Sequence, residues 1–148
     1  MQLMDTVSSK IRSATMRSIK SQGSNLENDV NRALWRKGIR YRKNVRNLMG
    51  NPDIAIKKYK IVVFVDSCFW HGCQKHFRMP KSNNEYWDLK IERNKLRDRE
   101  VNRYYKVKGW FAFRIWEHQL KDNFDKTIEV LSRSILMIYQ KHNVKSFL

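Results

Sequence analysis

The thirteen residues VDSCFWHGCQKHF (65–77) hold both cysteines of the chain, two of its four histidines, a carboxylate and a Phe-Trp pair. Cys68, Cys73 and His76 are spaced C-x4-C-x2-H, and His118 follows later in WEHQL. Two thiols and two imidazoles make a soft-to-borderline donor set of the kind that closes a structural Zn²⁺ site. The other reading is a pair of buried free cysteines beside satisfied histidines. Asp53 follows Pro52, and Asp66 closes the apolar run KIVVFVD. Two carboxylates at adjacent strand ends repel unless a hard cation lies between them, and Mg²⁺ is held in this way with water and phosphate completing its shell. Turn chemistry after proline explains Asp53 equally well, and strand termination explains Asp66. His71 lies outside the zinc quartet. An imidazole beside carboxylates is a candidate general base for a water, and Asp98 in RNKLRDREV is a candidate to orient it. The competing readings are an ordinary loop histidine and a surface ion pair. Phe69, Trp70 and Trp87, set among lysines and arginines, suit stacking on nucleic-acid bases, although an isolated tryptophan usually belongs to a core.

Positioning these groups falls to elements that the periodicity predicts. Ile11, Thr15, Met16 and Ile19 mark a short basic amphipathic helix over 8–21. Ser24 and Glu27 form a capping box that opens a second helix, whose stripe is Leu26, Val30, Ala33 and Leu34 and whose end is Gly38. That box accounts for Glu27 by itself, and spacing shows no further role for it. IRYRKNVR, DIAI and KIVVFVD read as three strands, with NLMGNP and KKYK as the turns of a meander. A long helix is expected from about Asn84 to Lys108, followed by the strand WFAFRIW and a last helix from about Asp122. A right-handed crossover through the long helix lays the last strand parallel to the one before it. The expectation is an α/β fold, a mixed sheet flanked by helices. The C-terminal ends of the third and fourth strands would then meet, which brings His118 to the cysteines.

Composition bounds the partner. The chain has 148 residues, with 31 Lys and Arg against 14 Asp and Glu, a formal charge of +17 and a pI near 10.2. Such an excess favours a polyanion, because each neutralised phosphate releases condensed counterions. An anionic membrane surface would also attract it, but no 18-residue apolar run, signal segment or lipidation motif appears. The chain reads as soluble and intracellular, cytoplasmic in location and nucleoid-associated in a bacterium. Two cysteines beside histidines fit a reducing compartment.

Five segments, SATMRSIKSQGSNLE (13–27), GNPDIAI (50–56), VVFVDSCFWHGCQKHFRMP (62–80), NNEYWDLKIERNKLRDREVN (83–102) and GWFAFRIWEHQL (109–120), resemble the very-short-patch mismatch-repair (Vsr) endonucleases. These are a branch of the PD-(D/E)-x-K restriction-endonuclease superfamily, whose αβββαβ core matches the order read above. The resemblance implies a single endonuclease domain over 1–148: a DNA-contacting helix at 8–21, a catalytic core at 24–120 and a C-terminal helix at 122–142. It implies Mg²⁺-dependent, strand-specific nicking of duplex DNA at T:G mismatches left by deamination of 5-methylcytosine. A monomer is implied, with mismatch-repair proteins as partners besides the DNA.

Residue by residue, Asp53 matches the family's metal-binding aspartate, and Glu27 the acidic residue that reaches a water in the metal's shell. His71 matches the catalytic histidine and Asp98 its orienting partner. Cys68, Cys73, His76 and His118 fall on the structural zinc positions. Phe69, Trp70 and Trp87 match aromatics that insert at the mismatch, and Met16 and Ile19 match a helix that wedges from the opposite groove. Asp66 stands where some members have histidine, and either ligates the metal or contacts phosphate. Cys68 occupies the place of the superfamily's lysine, so His71 would do that lysine's work. Ser67 stands where glycine is expected. Two rivals remain at this level: a related nuclease without mismatch preference, and a non-catalytic zinc-stabilised DNA-binding module.

Overall fold

The computed structural model describes residues 25–146. The basic helix expected over 8–21, with Met16 and Ile19, and the Ser24 end of the capping box lie outside the described residues. Helix α1 spans residues 25–36. The Gly38 amide bonds to the Trp35 carbonyl and the Ile39 amide to the Leu34 carbonyl, while Gly38 takes φ +85°. This is the Schellman stop that a glycine makes without Cβ strain, and its companion contact joins Leu34 and Ile39, both buried.

Four strands follow: β1 (Arg42–Lys43), β2 (Ile54–Ile56), β3 (Ile61–Asp66) and β4 (Phe111–Trp116). They pair in that order, antiparallel from β1 to β3 and parallel between β3 and β4. A 3₁₀ turn, Lys57–Tyr59, separates β2 from β3. Helix α2 (Asn84–Val107) makes the crossover between the parallel strands. It stops as α1 does, with the Gly109 amide on Lys106 and the Trp110 amide on Tyr105. The mixed sheet flanked by helices is therefore the fold that the sequence anticipates. Two details differ. Of IRYRKNVR, only Arg42 and Lys43 form ladder pairs, because Asn44 turns to φ +48° and the chain leaves the sheet. A short helix that was not expected, α3 (Glu117–Asp122), precedes the last helix, α4 (Phe124–Ser146), which starts about where expected. The Asn123 side chain between them accepts the Lys126 amide hydrogen and caps α4.

The pleat sorts β3 into two faces. Ile61 and Val63 join Val30 and Leu34 of α1 and Ile128, Leu131 and Ile135 of α4 in the larger core. Val62 and Phe64 pack with Val101 and Tyr105 of α2 on the other face. Continuing that alternation carries Asp66 to the α2 side, at the strand's C-terminal end. The sheet is thus a central layer between α1 with α4 and α2, and its register pairs Asp66 with Trp116, two residues before His118.

Candidate active site and metal centre

Asp53 precedes β2, and its Oδ2 accepts the Val65 amide hydrogen at 2.6 Å. The contact ties the carboxylate to the end of the neighbouring strand. Glu27 of α1 hydrogen-bonds Asp53, and burial pushes Glu27 up to about 7, with the Asp53 charge adding to the effect. Burial likewise raises Asp53, against the opposing Val65 hydrogen bond. Burial thus disfavours the ionised form of both carboxyls when no cation is beside them.

Asp66 is buried, and Arg114 Nη1 of β4 donates to both of its oxygens at 3.0 Å. Burial raises this carboxyl despite the nearby His71 and Arg114 charges. His71 lies on the loop after β3. Its Nδ1 is 2.6 Å from Asp98 Oδ2 on α2, and its Nε2 is 3.7 Å from Asp66 Oδ1. Burial opposes charging of this imidazole, but the Asp98 hydrogen bond and the Asp66 and Asp98 charges outweigh it and lift His71 above its usual range. The structure thus groups Asp66, His71 and Asp98 within one ligating distance. Asp53 with Glu27 forms an adjoining pair, near enough to feel the Asp66 and His71 charges.

Arg114 is the residue the sequence reading missed. Its Nε donates to Asn102 Oδ1 at 2.6 Å, its guanidinium lies 4.4 Å from the Phe64 ring centroid, and Nη1 is 3.6 Å from Asp98. A cation so held balances the carboxylates on the α2 face. The signal was present: FAFRIW places one arginine inside a half-buried strand, and charged groups go there when partners await them.

Between Asp66 and α2 the loop folds back through tight turns. The His71 amide donates to Ser67 and the Cys73 amide to Cys68, while Asn94 of α2 donates to the Trp70 carbonyl at 2.9 Å. Gly72 sits at φ +60°, and a Cβ there would fall 2.7 Å from Cγ2 of the buried Ile91 and 2.4 Å from Lys95 Cε. Left-handed strain and overpacking together make Gly72→Ala costly by about 3 kcal/mol. Thermal unfolding should show that loss, together with a fall in activity, because His71 and Cys73 flank the position. An unchanged melting temperature would mean that the loop is looser than its contacts imply.

Cys68, Cys73, His76 and His118 bring their ligand atoms within 4.8 Å of one another. Sulfur-to-Nδ1 distances are 3.4 Å (Cys68–His118), 3.5 Å (Cys73–His118) and 3.7 Å (Cys73–His76). Tetrahedral Zn–S and Zn–N bonds of about 2.3 and 2.05 Å put sulfur and nitrogen about 3.6 Å apart. The donor set fits a zinc ion in both type and spacing.

Phe69, Trp70 and Trp87 are neither displayed freely nor part of either core. They are half-buried against one another, with ring centroids 5.1–5.9 Å apart, and Phe77 packs at 5.8 Å. Lys90 lies 5.1 Å from the Trp70 ring and 5.7 Å from Trp87. Together they make a cationic aromatic shelf on the loop that carries His71 and the start of α2.

Comparison with known proteins gives matches over most of the chain. The family model described as DNA mismatch endonuclease Vsr matches residues 4–77. The type II nicking enzyme V.NmeDIP of Neisseria meningitidis serogroup C is 43% identical over 122 residues, covering 81% of this chain and 82% of the relative. V.HpaIIP of Haemophilus parainfluenzae, also described as a type II nicking enzyme, is 40% identical over 126 residues (83% and 89%). The DNA mismatch endonuclease Vsr of Escherichia coli K12 is 31% identical over 126 residues (84% and 80%).

Proposed function

The chain belongs to the Vsr family of restriction-endonuclease-like DNA endonucleases, and from that premise we propose that it nicks one strand of duplex DNA beside a T:G mismatch, with Mg²⁺ as cofactor. The observation that carries the reading is the convergence of Asp53, Asp66 and the His71–Asp98 pair at one end of the sheet, beside an aromatic shelf. Asp53 and Asp66 are the proposed ligands for a hard divalent cation: both carboxyls are raised by burial, and a cation beside them would favour their ionised forms. A cation held by these two residues would supply charge neutralisation at the scissile phosphate, which favours attack by water.

The side chains perform the remaining steps. Asp98 accepts the Nδ1 proton of His71 and so fixes the tautomer that leaves the Nε2 lone pair free. Nε2 takes a proton from the attacking water, a P–O bond forms, and the P–O3′ bond breaks with the O3′ leaving group taking a proton from solvent, which leaves a 5′-phosphate and a 3′-hydroxyl. Asp66 and Asp98 stabilise the imidazolium that results. Glu27, hydrogen-bonded to Asp53, is placed to orient the water. Phe69, Trp70 and Trp87 supply stacking surface for bases, and unstacking costs least at a mismatched pair, which gives selectivity through deformability. Cys68, Cys73, His76 and His118 would hold Zn²⁺, which would pin the loop that carries His71.

The decisive assay compares a labelled duplex containing one T:G pair with its fully paired twin, in Mg²⁺ and in EDTA, over several flanking sequences. A Mg²⁺-dependent nick in the T strand of the mismatched duplex alone is expected. Equal nicking of both duplexes would replace this reading with a related nuclease without mismatch preference; two of the relatives are described as type II nicking enzymes. Binding without nicking in any context would leave only a DNA-binding module. Asp98→Asn is expected to slow nicking about 100-fold, within the usual range for a positioned base, with duplex affinity unchanged. A rise in KM alone would instead make Asp98 a DNA contact.

A further inference from the structure

β4 is the edge strand of the sheet among the described residues, and two cavities follow its outer side. One, of about 580 Å³, is lined by Asn102, Lys106, Trp110, Phe113 and Arg114; the other, of about 330 Å³, by Lys58, Lys60, Lys141, His142 and Lys145. Gly109 and Phe111 line both, so the cavities are continuous around Phe111, which is 49% exposed. Their walls hold six lysines and arginines and no carboxylate. The first cavity ends at Arg114, the residue that holds Asp66, and the second lies by the N-terminal ends of β3 and β4. Three residue steps along β4, from Phe111 to Arg114, separate these ends by roughly 10 Å.

We propose that this edge is a track for a single DNA strand flanking the nick, running from Arg114 past Phe111 to the lysine cluster of the turn before β3 and the end of α4. The track deepens the nicking reading and rests on it. Cations beside exposed aromatics recognise a strand whose phosphates follow the charge and whose bases stack on the rings. Lys141 and Lys145 also lie where cations complement the C-terminal end of a helix. That role extends to Lys106 in the last turn of α2, but it does not account for Lys58 and Lys60, which come from the 3₁₀ turn and its cap. Nor does it explain an uncovered Phe111 in their midst. An acidic peptide would suit the charge but makes less use of the rings.

The test measures anisotropy of a labelled T:G duplex, either blunt or carrying a single-stranded extension of about ten nucleotides at its 5′ or 3′ end, between roughly 50 and 200 mM salt. The intact chain should bind one of the extended duplexes about tenfold tighter than the blunt one. Joint Lys58→Gln, Lys141→Gln and Lys145→Gln substitution should erase that preference and reduce the salt slope on the extended duplex by about 2. Phe111→Ala should weaken binding of the extended duplex about fivefold. Binding and nicking of the blunt duplex should not change in either variant. Equal affinity of the intact chain for blunt and extended duplexes would overturn the track, as would variants that weaken both equally. An extension preference without nicking of any duplex would support the track and sink the nicking reading.

Discussion

Asp53→Asn is expected to slow nicking of a T:G duplex by about 10³-fold, with affinity for the duplex within about twofold of the unsubstituted chain. The substitution is chosen because it separates charge from shape. An asparagine Oδ1 still accepts the Val65 amide hydrogen, so the junction between β2 and β3 keeps its bond. What is lost is the negative charge that would attract the cation. Folding should not suffer. A carboxyl whose pKa is higher folded than unfolded binds its proton more tightly in the folded chain, so ionising it near neutral pH opposes folding. Asp53 and Glu27 are both raised, chiefly by burial. Removing one of them leaves the melting temperature unchanged or higher. Single-turnover nicking, anisotropy and thermal unfolding on the same preparation test all three expectations. If nicking and binding fall together, Asp53 is a structural or DNA-contacting group. If nicking survives, the cation is held elsewhere, and the Asp66–His71–Asp98 group is the first place to look.

How far the sequence disclosed this site depends on which physical signal each residue leaves. The apolar run of β3 and the glycines after α1 and α2 mark the sheet centre and both helix ends, since burial and left-handed backbone are strong local constraints. The meeting of His118 with the cysteines required only that β3 and β4 run parallel with level C-terminal ends, as they do. The shortened β1 was not legible. Its residues alternate as a strand should, and the turn at Asn44 depends on the Pro52 and Asp53 carbonyls arriving opposite. The short helix α3 was hidden because its six residues, EHQLKD, hold one buried apolar side chain, Leu120, and so show no helical period. Arg114 left a mark that went unused, since its partners come from β3 and α2, far away in the chain. The aromatic shelf has no periodicity at all: Phe69 and Trp70 lie on a loop and Trp87 on a helix, and only the folded loop stacks them.

Cys73→Ser is expected to give the opposite pattern, with stability and nicking lost together. Cys68 and Cys73 are buried, and burial pushes the Cys68 thiol up to about 11, so it stays neutral without a cation beside it. If the two were merely buried thiols, exchanging sulfur for oxygen would cost about 1–2 kcal/mol. If they hold zinc, binding and folding are linked, and losing a ligand should cost at least about 4 kcal/mol. For a chain of this length that corresponds to a melting temperature lower by about 12 °C. Bound zinc measured by elemental analysis should fall from one per chain to well below it. A strong chelator should lower the melting temperature of the unsubstituted chain and leave that of the variant unmoved. The coupling to nicking follows from geometry. The loop from Ser67 to Phe77 has few buried apolar side chains besides the cysteines, yet it carries His71 between them, and His118 anchors it to the end of β4 just beyond Arg114. Releasing the anchor frees His71 from Asp98 and uncovers Asp66, although no zinc ligand is placed to touch the phosphate. A variant that keeps its melting temperature and loses only nicking would move Cys73 out of a zinc site and into the chemistry.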